Sequence, residues 1–377
     1  MAVTKKTIDK LGIDVSLIGF GCMRYPTKDG KIDEERALKM IDDAYNAGVN
    51  YFDTAFPYHD GTSEPFTGKA LDKYPRDSYY LATKLPVWDV NTLDDAKRIF
   101  QLQLDRLNKD YVDFYLLHAL NRGSYEKIRD LGVIEYLEEE KANGRIKFLG
   151  FSFHDEYDVF EEIINYKDWD FCQIQLNYMD TLEQAGMKGY ELTVKKNVPV
   201  VIMEPIKGGL LASLPEAIDS KLKALRPDES TASWALRWVA SLSNIKVVLS
   251  GMSSEDQLSD NLKTFTDFEP CSESENAAIE NVAAELKARV YNGCTGCRYC
   301  MPCPAGVNIP ENFSKWNRYG IYQNAGDALW QWNNQLKDEE RAVNCVQCGA
   351  CETHCPQKIS IREDLMRVTK TFEDLAK

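Results

Sequence analysis

Eight of the eleven cysteines fall after residue 293, in two tight groups that read as metal chemistry rather than as a disulfide framework. The first is Cys294-Thr-Gly-Cys297-Arg-Tyr-Cys300-Met-Pro-Cys303-Pro304, with a cysteine at every third position. The second is Cys345-Val-Gln-Cys348-Gly-Ala-Cys351-Glu-Thr-His-Cys355-Pro356, the C-x2-C-x2-C-x3-C-P spacing that wraps three thiolates around one iron-sulfur cubane and sends the fourth to its neighbour. That logic predicts one [4Fe-4S] cluster on Cys294, Cys297, Cys300 and Cys355, and a second on Cys345, Cys348, Cys351 and Cys303. Two four-cysteine zinc sites are the competing reading, but zinc needs neither the third cysteine of each run nor the closing Cys-Pro. The last gap of the first run is two residues instead of three, which bears on cross-ligation by Cys303. Cys22, Cys172 and Cys271 stand alone and read as small buried hydrophobes.

A second set of residues could move protons. Asp53 follows Tyr-Phe, Lys84 ends Tyr-Tyr-Leu-Ala-Thr, His118 ends Phe-Tyr-Leu-Leu, and Tyr58 lies five residues beyond Asp53. Singly, each has a bland reading as a cap, a snorkelling lysine or a satisfied histidine. Together they form a proton-transfer set. A tyrosine with an ordinary pKa near ~10 gains as a general acid from a neighbouring ammonium that eases proton loss. Lys84 would supply that cation, Asp53 would hold it charged and aligned, and His118 would donate a hydrogen bond to a carbonyl oxygen where negative charge develops. Tyr58 would deliver the proton.

These side chains need a frame. The chain of 377 residues has room for two or three domains at about 100 to 200 residues each, and its 44% hydrophobic content can fill a core. Short apolar, β-branched runs predict strands at 18–23, 51–55, 79–84, 112–118, 146–153, 172–178, 200–205 and 247–252. Amphipathic stretches lie between them, such as 33–47 with Asp33 as N-cap and Gly48 as the stop. Eight nearly continuous apolar strands alternating with helices predict an α/β fold, a closed (β/α)8 barrel over residues 1–270. A hairpin over 3–17 is expected to plug its lower end, and 206–227 to form a loop over its mouth. A linking helix at 271–291 would join it to a cysteine-bearing module at 292–377. There, aromatic residues from Phe313 to Trp332 at helical intervals predict a mostly helical, ferredoxin-like module.

The net charge of −14 disfavours nucleic acid as a partner. No apolar run is long enough to span a bilayer, and the start, MAVTKKTIDKLG, has no apolar stretch of a secretory signal, so a cytoplasmic protein without membrane partners is expected.

Asp53-Thr-Ala-Phe-Pro-Tyr58 followed by Ser63-Glu64, then Ala-Thr-Lys84, Leu-Leu-His118, Gly150-Phe-Ser152, Gln173-Ile-Gln175-Leu-Asn177-Tyr178 and Gln257-Leu-Ser-Asp260-Asn261 resemble the aldo/keto reductases. With the tail, the chain resembles the subgroup that carries a C-terminal two-cluster [4Fe-4S] ferredoxin-like domain. The resemblance implies an NAD(P)H cofactor across the barrel mouth and the tetrad Asp53, Tyr58, Lys84 and His118. It implies Ser152 and Gln173 at the carboxamide, Asp260 and Asn261 at the adenine end, and Gly21, Met203, Lys207, Gly251 and Gln257 along the cofactor.

Several positions depart from the family pattern. Phe153 stands where asparagine is frequent, and Met203 where an aromatic residue stacks on the nicotinamide. The segment Ser250-Gly-Met-Ser-Ser-Glu-Asp-Gln257 lacks the Lys or Arg that grips a 2′-phosphate, so NADH and NADPH both stay open. Lys207-Gly208-Gly209 could wrap a pyrophosphate or be only a turn, and His59 could touch substrate or be a rim residue.

The resulting expectation is an NAD(P)-dependent oxidoreductase interconverting a small carbonyl and an alcohol. Hydride transfer moves two electrons together, whereas a [4Fe-4S] cluster exchanges one. A flavin or a substrate radical could split the pair, with a ferredoxin or other electron carrier as partner. Alternatively, the clusters are structural or sensing, or the barrel is a nicotinamide-binding sensor with little turnover.

Overall fold

The computed structural model describes residues 2–377 and divides the chain into two compact units. One contains residues up to Gly208 together with Ala232–Ser274, the other Gly209–Thr231 together with Glu275–Lys377.

The first unit opens with an antiparallel hairpin, β1 (Lys5–Ile8) and β2 (Ile13–Ser16). The first barrel strand, β3 (Ile18–Gly21), precedes a two-residue hairpin, β4 (Thr27–Lys28) and β5 (Lys31–Ile32), that the apolar pattern did not reveal. The other barrel strands are β6 (Tyr51–Asp53), β7 (Tyr80–Leu85), β8 (Val112–Leu120), β9 (Ile146–Phe153), β10 (Phe171–Gln175), β11 (Val200–Met203) and β12 (Ile245–Ser250). They close as β3-β6-β7-β8-β9-β10-β11-β12, with every neighbour parallel. All eight expected strands are present, and all but β9 differ at their ends by one to three residues.

Helices α1 (Glu34–Asn46), α2 (Ser63–Leu71), α3 (Leu93–Leu107), α4 (Arg122–Asp130), α5 (Val133–Ala142), α6 (Tyr157–Tyr166) and α7 (Gly186–Lys196) cover the strands. Asp33 caps α1 by accepting from the Arg36 N–H, and Gly48 beyond its end takes the left-handed conformation, φ 95°. Two apolar layers result. One lies between strands and helices, and includes the buried Cys22 and Cys172. The other fills the barrel interior, where Phe114 packs on Tyr51, Phe148 and Phe171 at 4.9 to 5.0 Å, with Ile8 and Val15 of the hairpin in the same cluster. The lower end is therefore a packed core, which leaves chemistry to the C-terminal strand ends.

The expected mouth loop at 206–227 is instead largely helical. A 3-10 turn at Lys207–Ala212 leads into α8 (Glu216–Lys223), which buries Ile218 and Leu222. From Gly209 onward this segment belongs to the second unit, because its partners come from far along the chain: Lys221 pairs with Glu285, and Arg226 with Glu275 at 2.5 Å. The chain then returns to the barrel with α9 (Thr231–Ala240), β12 and α10 (Glu255–Phe265).

The second unit continues through α11 (Glu273–Lys287), α12 (Ile309–Tyr322), α13 (Ala325–Gln335), α14 (Ala350–Thr353) and α15 (Ile361–Leu375). Its core joins Val307, Phe313, Trp316, Trp332, Leu365 and Phe372, with Trp332 stacked on Phe372 at 4.0 Å. Six of the eight clustered cysteines pack against this core as half-buried side chains, while Cys297 and Cys348 are exposed.

Candidate functional site

Asp53 ends β6, Lys84 lies next to the end of β7, and His118 lies near the end of β8. Parallel pairing sets the three at the same rim of the barrel. Lys84 is fully buried. Its ammonium donates to Asp53 Oδ1 at 2.6 Å, to the Thr54 carbonyl at 2.9 Å and to the Tyr58 hydroxyl at 3.3 Å, which uses all three of its hydrogens. Burial opposes the charge on Lys84, but Asp53 and Tyr58 outweigh it and raise its pKa above the usual lysine value.

Because the Tyr58 oxygen accepts from Lys84, its own proton is free to be donated elsewhere. The ring of His118 stands edge-on to Tyr58 at 6.0 Å and 5.0 Å from Trp88, which is 47% exposed. Burial, with Lys84 adding to it, pushes His118 well below the usual imidazole pKa. It is thus a neutral donor at physiological pH. Lys84 eases proton loss from Tyr58, as expected, but burial acts more strongly in the other direction and leaves the Tyr58 pKa above 10.0. Tyr58 therefore holds its proton more firmly than a free tyrosine.

A local irregularity aims His118. Leu117 pairs with Phe151 and Leu120 with Phe153, so two residues of β8 oppose the single Ser152. This is a β-bulge, a device that redirects side chains beside sites. Ala119 takes φ 53° within it, and its N–H finds the Ser152 hydroxyl oxygen at 2.7 Å.

Behind Lys84 lies a buried polar network that inspection of the sequence did not assemble. Glu64 Oε1 accepts from Thr83 at 2.7 Å and from Gln103 at 2.6 Å. Gln103 also donates to the Lys84 carbonyl at 3.0 Å and accepts from the Tyr115 hydroxyl at 2.6 Å. Ser63-Glu64 was visible as a motif, but its partners are 19 and 39 positions away. The network depends on close approach of α2 and α3: a Cβ on Gly68 would lie 2.1 Å from the Leu107 carbonyl oxygen.

The residues implied for the cofactor fall into two groups. Ser152 and Gln173 are register partners, as are Gly21 and Asp53, so all four reach the same rim. Gln173 Oε1, Asp53 Oδ2 and His118 Nδ1 are buried without a hydrogen-bond partner. Three orphaned polar atoms at one strand-end rim fit a polar ligand there. Met203 lies beside Gln173, its sulfur 3.5 Å from the Gln173 amide nitrogen. A Cβ at Gly21 would come within 3.1 Å of the Ser250 carbonyl oxygen, which accounts for glycine there.

The second group is engaged locally. Lys207 is bound to Asp180 through both carboxylate oxygens, at 2.6 and 2.5 Å. Gln257 accepts from the Ser253 N–H at 2.7 Å, and Asn261 donates to Ser250 at 2.8 Å. Asp260 lies on α10 next to Asn261, and Gly251 packs beneath the Arg24 side chain. His59 takes φ 52° beside Tyr58, with its Nε2 buried and without a partner.

In the second unit, Cys294, Cys297, Cys300 and Cys355 line one cavity together with Arg298, Phe313 and Pro356. Three consecutive thiols of one run and the last thiol of the other thus share a space, the distribution expected of cross-ligated clusters. Among the described residues, no three His, Cys, Asp or Glu side chains converge tightly enough for a single metal ion. The donor set and the shared cavity fit a cluster. Cys345 lies near enough to act electrostatically on Cys351, whose thiol is pushed up to about 11 by burial and Glu352.

Residues 17–284 match the aldo/keto reductase family and residues 293–359 a 4Fe-4S dicluster domain. The chain belongs to the aldo/keto reductase family, in the subgroup with a C-terminal iron-sulfur domain, and is an oxidoreductase. It is 27% identical over 293 residues to L-galactose dehydrogenase of Arabidopsis thaliana, covering 70% of this chain and 88% of that one. It is 24% identical to the NADH-specific methylglyoxal reductase of Escherichia coli over 306 residues, 70% of this chain and 91% of that one. Among solved structures, the holo form of an aldo-keto reductase from Bacillus halodurans superposes with a TM-score of 0.62 at 28% identity, covering 74% of this chain and 96% of that chain. The flavin considered from the sequence finds no support in these matches.

Proposed function

We propose that this protein interconverts a small carbonyl compound and the corresponding alcohol with NAD(P)H, a reaction complete in itself, and that in a separate route its two [4Fe-4S] clusters, taking one electron each, pass the two electrons of the alcohol or of NAD(P)H to a carrier while the protons go to solvent. The observation that carries the reading is the buried Lys84, bound to Asp53 at 2.6 Å and to the Tyr58 hydroxyl at 3.3 Å. A bound nicotinamide supplies or accepts the hydride. Tyr58 gives its proton to the developing alkoxide, and the Lys84 ammonium steadies the phenolate that remains. His118, neutral, donates a hydrogen bond to the same oxygen. Gln173 Oε1 and the Ser152 hydroxyl hold the carboxamide edge. The shell of Glu64, Thr83 and Gln103 fixes the β7 backbone, so that Lys84 keeps its aim through turnover.

In the second unit, Cys294, Cys297, Cys300 and Cys355 hold one cluster, and Cys345, Cys348, Cys351 and Cys303 the other. Such clusters pass electrons singly. The exposed Cys297 and Cys348 give each a side open to a carrier such as a ferredoxin. The relatives' names, a dehydrogenase of L-galactose and a reductase of methylglyoxal, support small substrates and either direction.

The test uses anaerobically purified protein. Small aldehydes and ketones are expected to be reduced with NADH or NADPH, and Tyr58→Phe should lower kcat by about 10²–10⁴-fold. A reductase activity indifferent to that change would overturn the assignment of the acid. Electron coupling is read separately, by bleaching of the cluster absorbance and a reduced-cluster EPR signal on adding pyridine nucleotide with substrate. Clusters that respond to dithionite but never to nucleotide under turnover would remove the coupling and leave the reductase.

A further inference from the structure

We infer that the carrier meets the first cluster, that of Cys294, Cys297, Cys300 and Cys355, at a rim built by Arg298 and Lys358, and that this carrier is an acidic ferredoxin. The inference rests on the electron-transfer reading above and deepens it by naming the port and the partner.

The two cysteine runs repeat one backbone plan. Arg298 follows the second cysteine of the first run as Gly349 follows that of the second, and each carbonyl accepts from the N–H three residues on, at 2.9 Å from Met301 and 3.2 Å from Glu352. Lys358 and Gly306 stand three residues beyond the closing cysteines, and each donates its N–H to that cysteine's carbonyl, Cys355 at 3.1 Å and Cys303 at 3.0 Å. All four take the left-handed conformation, with φ 62° at Arg298, 53° at Lys358, 79° at Gly349 and 78° at Gly306. Glycine is the default residue there. Both positions that serve the second cluster are glycine. Both that serve the first are exposed cations, held in a conformation that L side chains rarely adopt.

Neither cation is neutralised. Of the ten basic side chains from Asn292 onward, seven are in ion pairs. Arg298 and Lys358 have no carboxylate partner among the described residues, and the third unpaired cation, Lys337, sits beside Asp338, Glu339 and Glu340. Arg298 lines the cavity of the first four thiols together with Gln357, the chain neighbour of Lys358. The carboxylates on the segments that flank this cavity are engaged: Glu311 with Lys315 at 2.9 Å, Glu352 with Arg362 at 2.9 Å, and Glu363 and Asp364 with Arg367 at 2.6 and 3.5 Å. At the second cluster, Arg362 passes over Gly349 with its charge spent on Glu352, and Gly306 lies against the Glu339 carbonyl.

Two clusters of one type carry the same charge, so the side chains around them decide between the two. An acidic carrier is steered to the first. Tyr299, 68% exposed between Cys297 and Cys300, adds an aromatic face at the same rim. One electron passes per encounter, from the cluster to the carrier, with no bond made or broken. Cys351 feels the charge of Cys300, so the second cluster is within electrostatic reach of the first and its electron leaves by the same port.

Binding of an acidic two-cluster ferredoxin to the anaerobic holoprotein, both oxidised, is measured by isothermal titration at low and at moderate salt. Transfer from reduced protein freed of excess dithionite is followed by stopped flow. Lys358→Glu should weaken binding and slow transfer by at least about fivefold at low salt, with the loss shrinking as salt rises. Arg298→Gln should act in the same direction, whereas Arg362→Gln, the corresponding change at the second cluster, should stay within about twofold of the parent. Iron content and circular dichroism show that each variant keeps its clusters, and Lys358→Gln replaces Lys358→Glu if the latter loses iron. Binding indifferent to Lys358 and Arg298, or equally sensitive to Arg362, would overturn the inference and leave the electron-transfer reading in place. So would a protein that reduces methylene blue but neither binds nor reduces the ferredoxin. An iron-replete protein that reduces neither would remove that reading as well.

Discussion

At the scale of single residues, the site works by keeping opposed charges apart from water. Lys84 stays charged because Asp53 and Tyr58 outweigh its burial, whereas His118 stays neutral because burial and Lys84 act in the same direction. The second point has a consequence for stability. A histidine whose folded pKa lies well below its unfolded value near 6.5 binds fewer protons when folded, so its contribution is present above about 6.5 and is lost as pH falls below it. His118→Gln should therefore flatten the fall in melting temperature between pH 7 and pH 5 relative to the unaltered protein. Identical slopes would show that His118 is not buried in its neutral form. Asp53, Tyr58, Lys84 and His118 were legible because the sequence puts each at or near the end of an apolar run. The Lys207–Asp180 pair was not, because nothing local in a sequence tells which carboxylate 27 positions away will reach a lysine.

At the scale of elements, the barrel was legible because parallel strands buried on both faces are near-continuous apolar runs. Strand ends were less so, since they depend on register, as the bulge at His118 and Ala119 illustrates. A single alanine in the left-handed region costs about 1 kcal/mol, and that strain is held at the position that redirects the histidine. Helix α8 was missed because Ile218 and Leu222 offer only one apolar step, bracketed by Pro215 and Pro227. Its reason for being helical lies in partners beyond residue 274. The contact between α2 and α3 yields a direct prediction. Gly68→Ala must push the Leu107 carbonyl aside, and should destabilise the barrel by about 1–3 kcal/mol or more, read by chemical denaturation. It should also lower activity, because Glu64 and Gln103 brace Lys84 from those helices. A variant as stable as the parent would mean that the helices approach less closely.

At the scale of the whole molecule, two chemistries share one chain but not its charge. The last 86 residues carry ten basic and ten acidic side chains, so the net −14 falls on the part before Asn292. An acidic carrier would thus meet less repulsion at the cluster module than at the barrel. Metal content tests the cysteine assignment: two cubanes require about eight irons per chain, and replacing Cys348 and Cys351 together by Ser should leave about four. Zinc in place of iron, or iron unchanged in that variant, would sink it.

The two-part make-up of the second unit also sets a timetable for synthesis. Residues 209–231 are translated before Ala232–Ser274, and only afterwards does the chain that pairs with them, from Glu275, leave the ribosome. At about 5–20 residues per second, Lys221 and Arg226 wait for seconds for Glu285 and Glu275, while the last barrel strand is made. The nascent protein therefore presents a short unpaired segment at the moment its barrel is ready to close, and a message truncated at codon 274 would leave that segment permanently without its partner.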